Sequence, residues 1–306
     1  MRAMPRGRRV AAALAVPALL LVSACSQAVD VPPSTSTPTP GTTTSSDGLP
    51  PAPDRLRVAI SFDQPGLGVK DGDEHSGLDV DVSRYVAQQM GTERITFVQA
   101  IPDQRETLLA TGQVDMVVSS YSMTPQRAEQ VRFAGPYLVT DQELLLPRRS
   151  SIRSPQELRG FTVCGAAGSS ATQRLVRDYT GLHIVEEKSV DACVDRLREG
   201  EVKAVTSDTT ILAGYLEEED GSDLRLSGRP FGRESYGIGL AKDDRALCYR
   251  VSEGLRTMIS SGEWRRAVAR NLPSAKVIGR QTYRPPQVRS CTSPTTPTSS
   301  GSSTSS

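Results

Sequence analysis

The chain has 306 residues and a formal net charge of +1 at pH 7. This near balance lacks the basic surplus that nucleic-acid-binding proteins carry, so we expect no nucleic-acid partner. The length allows one large domain or two smaller ones between the terminal segments.

The N-terminal residues have the features of a bacterial export signal. Four arginines lie within the first nine residues, and an uncharged apolar run follows at 10–24. That run is shorter than the about 20 residues that a membrane-spanning helix requires. It ends in "LVSAC", which resembles a lipobox, so we expect a signal peptide at 1–24, cleavage before Cys25 and lipid on the Cys25 sulfur. The alternative is an ordinary cleavage near Ala24, with Cys25 incidental.

Segments rich in Ser, Thr and Pro flank a central body. Residues 25–54 contain few apolar side chains, and such a segment cannot bury enough surface to offset the entropy of ordering. We therefore predict a disordered tether there and a similar tail at 292–306. The folded body lies between them.

The body alternates between strand patterns and helix patterns. Its first half predicts, in chain order, strand "RLRVAISF", helix "GLDVDVSRYVAQQMG", strand "RITFVQA", helix "RETLLATGQ", strand "VDMVVSS", helix "TPQRAEQV" and strand "DQELLL". Leu78, Val82 and Val86 recur at helical spacing on one apolar stripe. Thr124 and Pro125 are typical of a helix N-terminus.

The second half repeats the alternation. It predicts a capped helix in "SPQELRG", then strand "FTVCG", helix "SSATQRLVRDYTG", strand "HIVEE", helix "VDACVDRLREG", strand "VKAVTSD", helix "TTILAGYLEEE", strand "ESYGIGLAK" and two closing helices. Alternating strands and helices predict an α/β fold with mostly parallel sheets. Two such clusters in succession predict two lobes.

Four cysteines remain in the body once Cys25 is assigned to lipid. An even number in an exported chain suggests two disulfides, for which three pairings are possible. We favour Cys164 with Cys193 and Cys248 with Cys291, because each pair falls within one structural unit of the predicted order. The alternative is reduced, buried cysteine.

Ligands of open α/β sheets bind beyond the carboxyl ends of the strands, and three predicted strand ends carry polar side chains. These ends are Ser119, Ser120 and Tyr121 at the end of "VDMVVSS", Gly165 to Ser170 at the end of "FTVCG", and Asp208 at the end of "VKAVTSD". We expect a binding site where these ends meet.

A zwitterion suits these groups. Arg127 lies near the start of a helix, where a cation is unfavourable unless an anion binds nearby, and arginine holds a carboxylate with two parallel hydrogen bonds. Ser122 and the helix start at Ser170 add donors for that carboxylate, whereas Asp208 suits an ammonium group. The simplest such ligand is an α-amino acid. Taken singly, Arg127 is also consistent with a solvated charge, and the serines and Asp208 with helix caps.

Several blocks of the body resemble one family. "GLDVDVSRYVAQQM", "SMTPQRAEQVRFAGPYLV", "AVTSDTTILAGYL", "ESYGIGLAKDD" and "GEWRRAVARNL" are similar, in order and spacing, to bacterial extracellular solute-binding proteins of family 3 that bind amino acids. The lipobox, the tether and "SFDQPGLGVKDGDEHSGLDVDV" resemble most the glutamate-binding lipoproteins of actinobacterial ABC importers. The resemblance implies a two-lobed periplasmic-binding-protein-like fold of type II with two crossing hinge strands. It implies a discontinuous first lobe, 55–145 plus 241–291, and a second lobe, 146–240.

The resemblance also assigns roles to residues of the site. It gives the ligand's α-carboxylate to Arg127, Ser120, Ser122, Ser169 and Ser170, and the ammonium group to Asp208 with Ser120. Which of Ser169 and Ser170 contacts the ligand is left open, because the family more often has threonine there.

The side chain of the ligand is assigned to a smaller set. Arg105 falls where glutamate and aspartate binders of this family meet the distal carboxylate, and Lys188 and Ser61 are weaker candidates. The alternative for Arg105 is a surface residue that caps a helix. We therefore favour glutamate, followed by aspartate, glutamine and asparagine.

The resemblance implies a monomer with no cofactor or metal, held on the extracytoplasmic face of the membrane by lipid on Cys25. Its partner is expected to be the permease of an ABC importer. Two alternatives remain: a subunit that reports amino acids to a membrane sensor, and a dehydratase-like enzyme that uses Glu143, Asp63 or His183 as an acid or base. His183 lies in a short predicted strand and is better explained as structural. "DGDEHSG" lacks the full spacing of a calcium loop and predicts a hairpin turn.

Overall fold

The structure, a computed structural model, describes residues 51–218, 221–272, 283–289 and 291. The predicted signal peptide, Cys25, most of the tether and the tail at 292–306 lie outside the described residues. Among the helices within those ranges, none has the length and apolar character needed to cross a membrane.

The first part of the chain contains seven strands and three helices. They are β1 (Arg55–Ile60), β2 (Asp63–Gln64), β3 (Gly68–Asp71), β4 (Glu74–Ser76), α1 (Leu78–Met90), β5 (Arg94–Gln99), α2 (Arg105–Ala110), β6 (Met116–Val117), α3 (Pro125–Gln130) and β7 (Val131–Pro147). The predicted apolar stripe of α1 is buried at Leu78, Val82 and Val86. Gly91 ends α1 in the left-handed conformation, with φ 77°.

The second part continues the alternation. It contains β8 (Thr162–Ala166), α4 (Ser170–Asp178), β9 (His183–Glu187), α5 (Val190–Arg198), β10 (Ala204–Asp208), α6 (Thr209–Glu217), β11 (Leu224–Leu226), β12 (Gly232–Ala241), α7 (Arg245–Ser260) and α8 (Glu263–Asn271). Short 3₁₀ helices occupy Pro155–Leu158 and Gly221–Asp223.

Two long strands connect the two lobes. One mixed sheet has the order β5-β1-β6-β12-β7-β10-β8-β9, with β11 beside β7. β5, β1 and β6 are parallel in the first lobe, and β10, β8 and β9 are parallel in the second. β7 and β12 run antiparallel through both, from Val131 opposite Ala241 to Gln142 opposite Gly232. This arrangement confirms the predicted two-lobed α/β fold with two crossing strands.

The sequence pattern predicted only the C-terminal part of β7. Only "DQELLL" was predicted as a strand, because Gly135 and Pro136 interrupt the preceding apolar run, and proline is normally excluded from the interior of a sheet. The β7–β12 pairing shifts register between Tyr236 and Ile238, opposite this interruption. Pro136 therefore lies where the regular ladder is already broken.

Two smaller differences and one agreement concern local structure. "SPQELRG" forms a single 3₁₀ turn rather than a capped α-helix, because Ser154 donates its hydroxyl proton to Glu157 (3.0 Å) instead of accepting from a backbone N–H. The three-residue strand β11 has too short a pattern to be predicted. β3 and β4 pair as a hairpin across Gly72, with Asp71 opposite Glu74, as the "DGDEHSG" turn predicted.

Both favoured disulfide pairings are confirmed. Cys164 in β8 is bonded to Cys193 in α5, and Cys248 in α7 is bonded to Cys291. The first links the sheet of the second lobe to the helix that covers it. The second ties the C-terminal segment to the first lobe.

Candidate functional site

A narrow cavity lies between the carboxyl ends of the strands of the two lobes. Its walls are formed by Gln64, Pro102, Arg105, Ser120, Ser122, Arg127, Ala166, Ser169, Ser170, Ala171, Val190, Ser207, Asp208 and Ile211. This position agrees with the rule that places ligands of α/β sheets beyond the strand ends. Seven of the residues that the sequence singled out are brought together here.

The lobes meet closely around the cavity. The hydroxyls of Ser122 and Ser170, one from each lobe, are 3.0 Å apart. Gly168 has φ +71°, and a Cβ there would lie 2.9 Å from the backbone of Asp103 in the first lobe. A larger residue at Gly168 would therefore hold the lobes apart.

Arg127 is the central cation of the first-lobe wall. Thr124 caps α3 and accepts a hydrogen bond from the Arg127 backbone N–H. The Arg127 guanidinium donates to the carbonyls of Ser122 (3.1 Å) and Gly168 (2.8 Å) and lies 3.3 Å from a carboxylate oxygen of Glu106. It is therefore fixed in place while 7% exposed, at the junction of the two lobes.

Ser120 adopts an unusual backbone conformation. Its φ is +40°, a region that residues with a Cβ seldom occupy. Its N–H donates to Asp79 (2.9 Å), and its hydroxyl donates to Gln64 (2.7 Å). These two bonds hold the strained turn in place in the cavity wall. Strained backbone of this kind often occurs at binding sites.

The two serines of the second lobe have different partners. Ser169 is the N-cap of α4, and its hydroxyl accepts from the N–H of Thr172 (3.2 Å). The Ser170 hydroxyl instead faces Ser122 across the cleft and accepts from the side-chain amide of Gln142 (3.1 Å). Ser170 is thus the serine whose hydroxyl reaches the other lobe.

Asp208 does not act as a helix cap, although it precedes α6. Its side chain makes no capping hydrogen bond. One carboxylate oxygen, Oδ2, accepts from the Tyr236 hydroxyl at 2.6 Å, and the buried Oδ1 has no hydrogen-bond partner among the described residues. Burial, together with repulsion from Glu234, raises the pKa of Asp208 to about 7. The free oxygen can accept a hydrogen bond from a bound cation.

Arg105 is a buried cation that forms no salt bridge with the described residues, although the charge of the nearby Glu106 partly opposes the lowering of its pKa. Its side chain is 3% exposed, its Nε is buried with no hydrogen-bond partner, and no carboxylate of the described chain lies within ion-pair distance. Its guanidinium carbon lies 5.4 Å from the ring centroid of Tyr121, and that of Arg127 lies 5.0 Å from the same ring. Burial, and secondarily the Arg127 charge, lower the pKa of Arg105. An anion in the cavity would relieve this unfavourable state.

Ser61 and Lys188 lie elsewhere in the structure. The Ser61 hydroxyl is buried and bonds that of Ser119 at 2.9 Å, behind the cavity wall. Lys188 is exposed and lines a different opening, together with Asp63 and Gln104. The described cavity thus does not include these two candidates.

Comparison with known proteins bears directly on this geometry. Residues 56–273 match the family of bacterial extracellular solute-binding proteins, family 3. The chain belongs to this family. The match spans both lobes and every residue that lines the cavity.

Individual members of the solute-binding family show graded similarity. The glutamate-binding protein GluB of Corynebacterium efficiens is 35% identical over 230 residues, which cover 71% of this chain and 78% of that protein. The ABC transporter glutamine-binding protein GlnH of Bacillus subtilis is 27% identical over 216 residues, 69% of this chain and 78% of that one. A solved ancestral arginine-binding protein bound to glutamine superposes with a TM-score of 0.68 at 24% identity, over 72% of this chain and 98% of that one. This last likeness concerns the fold alone.

Several residues that shape the site were not predicted from the sequence. They are Asp79, Glu106, Gln142 and Tyr236, each of which contacts a predicted site residue. Asp79 carried a signal, because it precedes Val82 and Val86 by three and seven residues and so lies on the buried face of α1. Tyr236 carried none, since its partner lies 28 residues away on another strand.

Glu143 and His183, considered above as catalytic acids or bases, do not line the cavity. Glu143 accepts hydrogen bonds from Ser227, Thr209 and the N–H of Gly228 within the second lobe, and burial raises its pKa. His183 is exposed on β9. Within the described residues, no group of three or more His, Cys, Asp or Glu side chains is placed to hold a metal ion.

Proposed function

We propose that this chain is an extracytoplasmic, lipid-anchored protein that captures glutamate between its lobes and delivers it to an ABC importer. The observation that carries the proposal is the buried Arg105 guanidinium, which has no ionic partner in the described chain and lies beside Arg127 over one tyrosine ring. Arg127 already lies 3.3 Å from the Glu106 carboxylate, whereas Arg105 forms no salt bridge with the described residues, so Arg105 is the buried cation that calls for a further negative charge from the ligand.

The charges of the cavity match those of an acidic amino acid. Arg127, with Ser120, Ser122 and Ser170, is suited to the α-carboxylate, because a guanidinium holds a carboxylate through two parallel hydrogen bonds. The free oxygen of Asp208 is suited to the ammonium group. This leaves Arg105 for a carboxylate on the ligand's side chain.

Other amino acids fit this charge pattern less well. A glutamine or asparagine side chain could accept a hydrogen bond from Arg105 but would not neutralise it. A dibasic side chain would be repelled by Arg105. We therefore rank glutamate first, with aspartate, glutamine and asparagine behind it. The name of the relative GluB supports this ranking, and the name of GlnH keeps glutamine as the main competitor.

The proposal includes parts that lie outside the described residues. Lipid on Cys25 would anchor the chain, and the tether up to residue 54 would let the folded body reach a permease. We also propose that the protein is a monomer. The lobe boundaries 55–145 plus 241–291 and 146–240 belong to the same proposal.

A thermal-shift screen of the twenty amino acids tests this function. A ligand present at one hundred times its Kd stabilises the folded state by about 2.7 kcal/mol, so glutamate should give the largest rise in Tm. Arg127→Ala should abolish the response to every amino acid. Arg94→Ala is the matched control, because Arg94 is exposed on β5 of the same lobe. The proposal fails if no amino acid raises the Tm of the unaltered protein.

A further inference from the structure

Tyr236 lies at the centre of the two-lobed structure. It is fully buried on β12, one of the two strands that connect the lobes, and its backbone forms an antiparallel bridge with Ser122. Its hydroxyl donates to Oδ2 of Asp208 at 2.6 Å. One residue thus contacts the carboxylate side of the cavity through its backbone and the ammonium side through its side chain.

The carboxylate of Asp208 is held by few other groups. Glu234, also on β12, repels it, although Arg174 of α4 pairs with Glu234 at 3.1 Å. The side chain of Gln142 on β7, through a hydrogen bond, and Arg127 on α3, through its charge, also favour the ionised form, each more weakly than the tyrosine hydroxyl does. Tyr236 is therefore the strongest of the surrounding groups that stabilise the charged carboxylate.

The ionisation of Asp208 is finely balanced. Burial, with repulsion from Glu234, raises its pKa to about 7, whereas the hydrogen bond from Tyr236 opposes that rise. Only the ionised carboxylate forms an ion pair with an ammonium group. Any change that raises this pKa further would leave less of the binding-competent form at neutral pH.

We propose that Tyr236 is a positioning residue for amino-acid recognition, which keeps Asp208 ionised and occupies Oδ2 so that Oδ1 remains free for the ligand's ammonium group. This inference rests on the proposed function. It adds that the affinity for the amino acid depends on pH between about 6 and 8, through a group that never touches the ligand with its side chain.

Tyr236→Phe tests the inference, with glutamate affinity measured by calorimetry from pH 6 to pH 9. Each unit by which the Asp208 pKa rises should weaken binding about tenfold below pH 7, and the ratio of the two Kd values should approach one at about pH 9. The ammonium group of glutamate titrates equally with both proteins, so it cancels from this ratio. A ratio that stays constant across the range would overturn the inference, because a purely structural defect has no reason to follow the titration of Asp208.

A second ligand separates positioning from general damage. Glutarate has the two carboxylates of glutamate but no ammonium group, so its binding should not weaken in Tyr236→Phe at any pH. Equal weakening of glutamate and glutarate would contradict the inference. Tyr85→Phe is the control for loss of a tyrosine hydroxyl, because the Tyr85 hydroxyl contacts Ser261 on the surface.

A second variant, which should lower the pKa of Asp208 instead of raising it, tests the inference even if Tyr236→Phe does not fold. Glu234→Gln removes the repelling charge, so it should tighten glutamate binding at pH 6 and have little effect at pH 9. Unchanged or weaker binding at pH 6 would contradict the inference. If the unaltered protein binds no amino acid, the proposed function fails. Binding of glutamate with none of these pH effects leaves the function intact and rejects the role of Tyr236.

Discussion

The two lobes each contain one buried aspartate bonded to a tyrosine of a connecting strand, yet the two carboxylates differ in their hydrogen bonds. Asp79 accepts from Tyr137 (2.7 Å) through one oxygen and from the Ser120 N–H (2.9 Å) through the other. Asp208 accepts from Tyr236 (2.6 Å) through Oδ2, while its Oδ1 has no partner among the described residues. The pKa of each is raised to about 7, chiefly by burial.

The two carboxylates therefore differ in what they are free to bind: Asp79 is fully bonded within the protein, whereas Asp208 can accept a further hydrogen bond. Both oxygens of Asp79 are used within the protein, where they hold the strained turn at Ser120. The Oδ1 atom of Asp208 has no hydrogen-bond partner among the described residues, so a buried acceptor stays unsatisfied until a ligand donates to it. The two tyrosines pack against each other with ring centroids 6.1 Å apart, so the two networks meet where β7 and β12 cross. Similar burial and similar pKa values thus do not imply similar roles.

Of the two aspartate substitutions, Asp208→Asn should have the larger effect on binding, and it should not destabilise the fold. Removing one member of a buried charged pair typically weakens binding by about 2–5 kcal/mol, so affinity for every amino acid should fall accordingly. The free energy of unfolding of the ligand-free protein should stay the same or rise, since a buried charge with a free oxygen is lost. Calorimetry and urea denaturation measure the two quantities. Retained affinity would show that Asp208 is not the ammonium site.

The pH dependence of the free energy of unfolding provides a second test of Asp208. An unfolded aspartate has a pKa of about 3.9, whereas the pKa of folded Asp79 and of folded Asp208 is about 7. Between these values the folded state holds more protons than the unfolded state. The free energy of unfolding of the ligand-free protein should therefore fall as pH rises through this window and level off above about pH 7.

Asp208→Asn is the comparison that isolates one of the two groups. It should make the fall in unfolding free energy shallower between pH 4 and 7, because one of the two carboxyls whose pKa is raised to about 7 no longer titrates. Urea denaturation at a series of pH values measures both slopes. Equal slopes in the two proteins would indicate that Asp208 does not titrate in this window.

Asp79→Asn should have the smallest effect on binding but a clear effect on stability. Tyr137 and Ser120 donate to different oxygens of Asp79, and the NH2 group of asparagine replaces one of them, so one buried donor loses its acceptor, at a cost of about 1–3 kcal/mol in the free energy of unfolding. Binding should weaken less than in Asp208→Asn, because the Ser120 turn loosens while Arg127 and Asp208 remain. A greater loss of affinity in Asp79→Asn than in Asp208→Asn would reverse the assignment of the two roles.

The sequence predicted most of the framework and the residues at the strand ends. Hydrophobic periodicity located α1, and the polar residues after three strands selected Ser120, Ser170 and Asp208, because strand ends converge in any α/β sheet. The cysteine count and the order of elements were enough to pair Cys164 with Cys193.

The remainder depended on contacts between distant parts of the chain. The full length of β7 could not be predicted, because Pro136 interrupts its strand pattern. Pro136 is accommodated where the β7–β12 pairing shifts register, and that shift is visible only in the folded structure. Whether Ser169 or Ser170 reaches across the cleft depends on which one caps α4. The free oxygen of Asp208 arises because Tyr236 occupies the other one, and only the folded structure brings them together.

The most direct test is calorimetric titration of glutamate and glutamine into the unaltered protein and Arg105→Ala. We predict that the unaltered protein prefers glutamate, because the distal carboxylate neutralises a buried guanidinium that otherwise forms no salt bridge. Arg105→Ala should lose much of its glutamate affinity, by about 2–5 kcal/mol, while glutamine affinity falls far less. Equal losses for the two ligands, or a preference for glutamine in the unaltered protein, would contradict the assignment of Arg105 to the ligand's side chain.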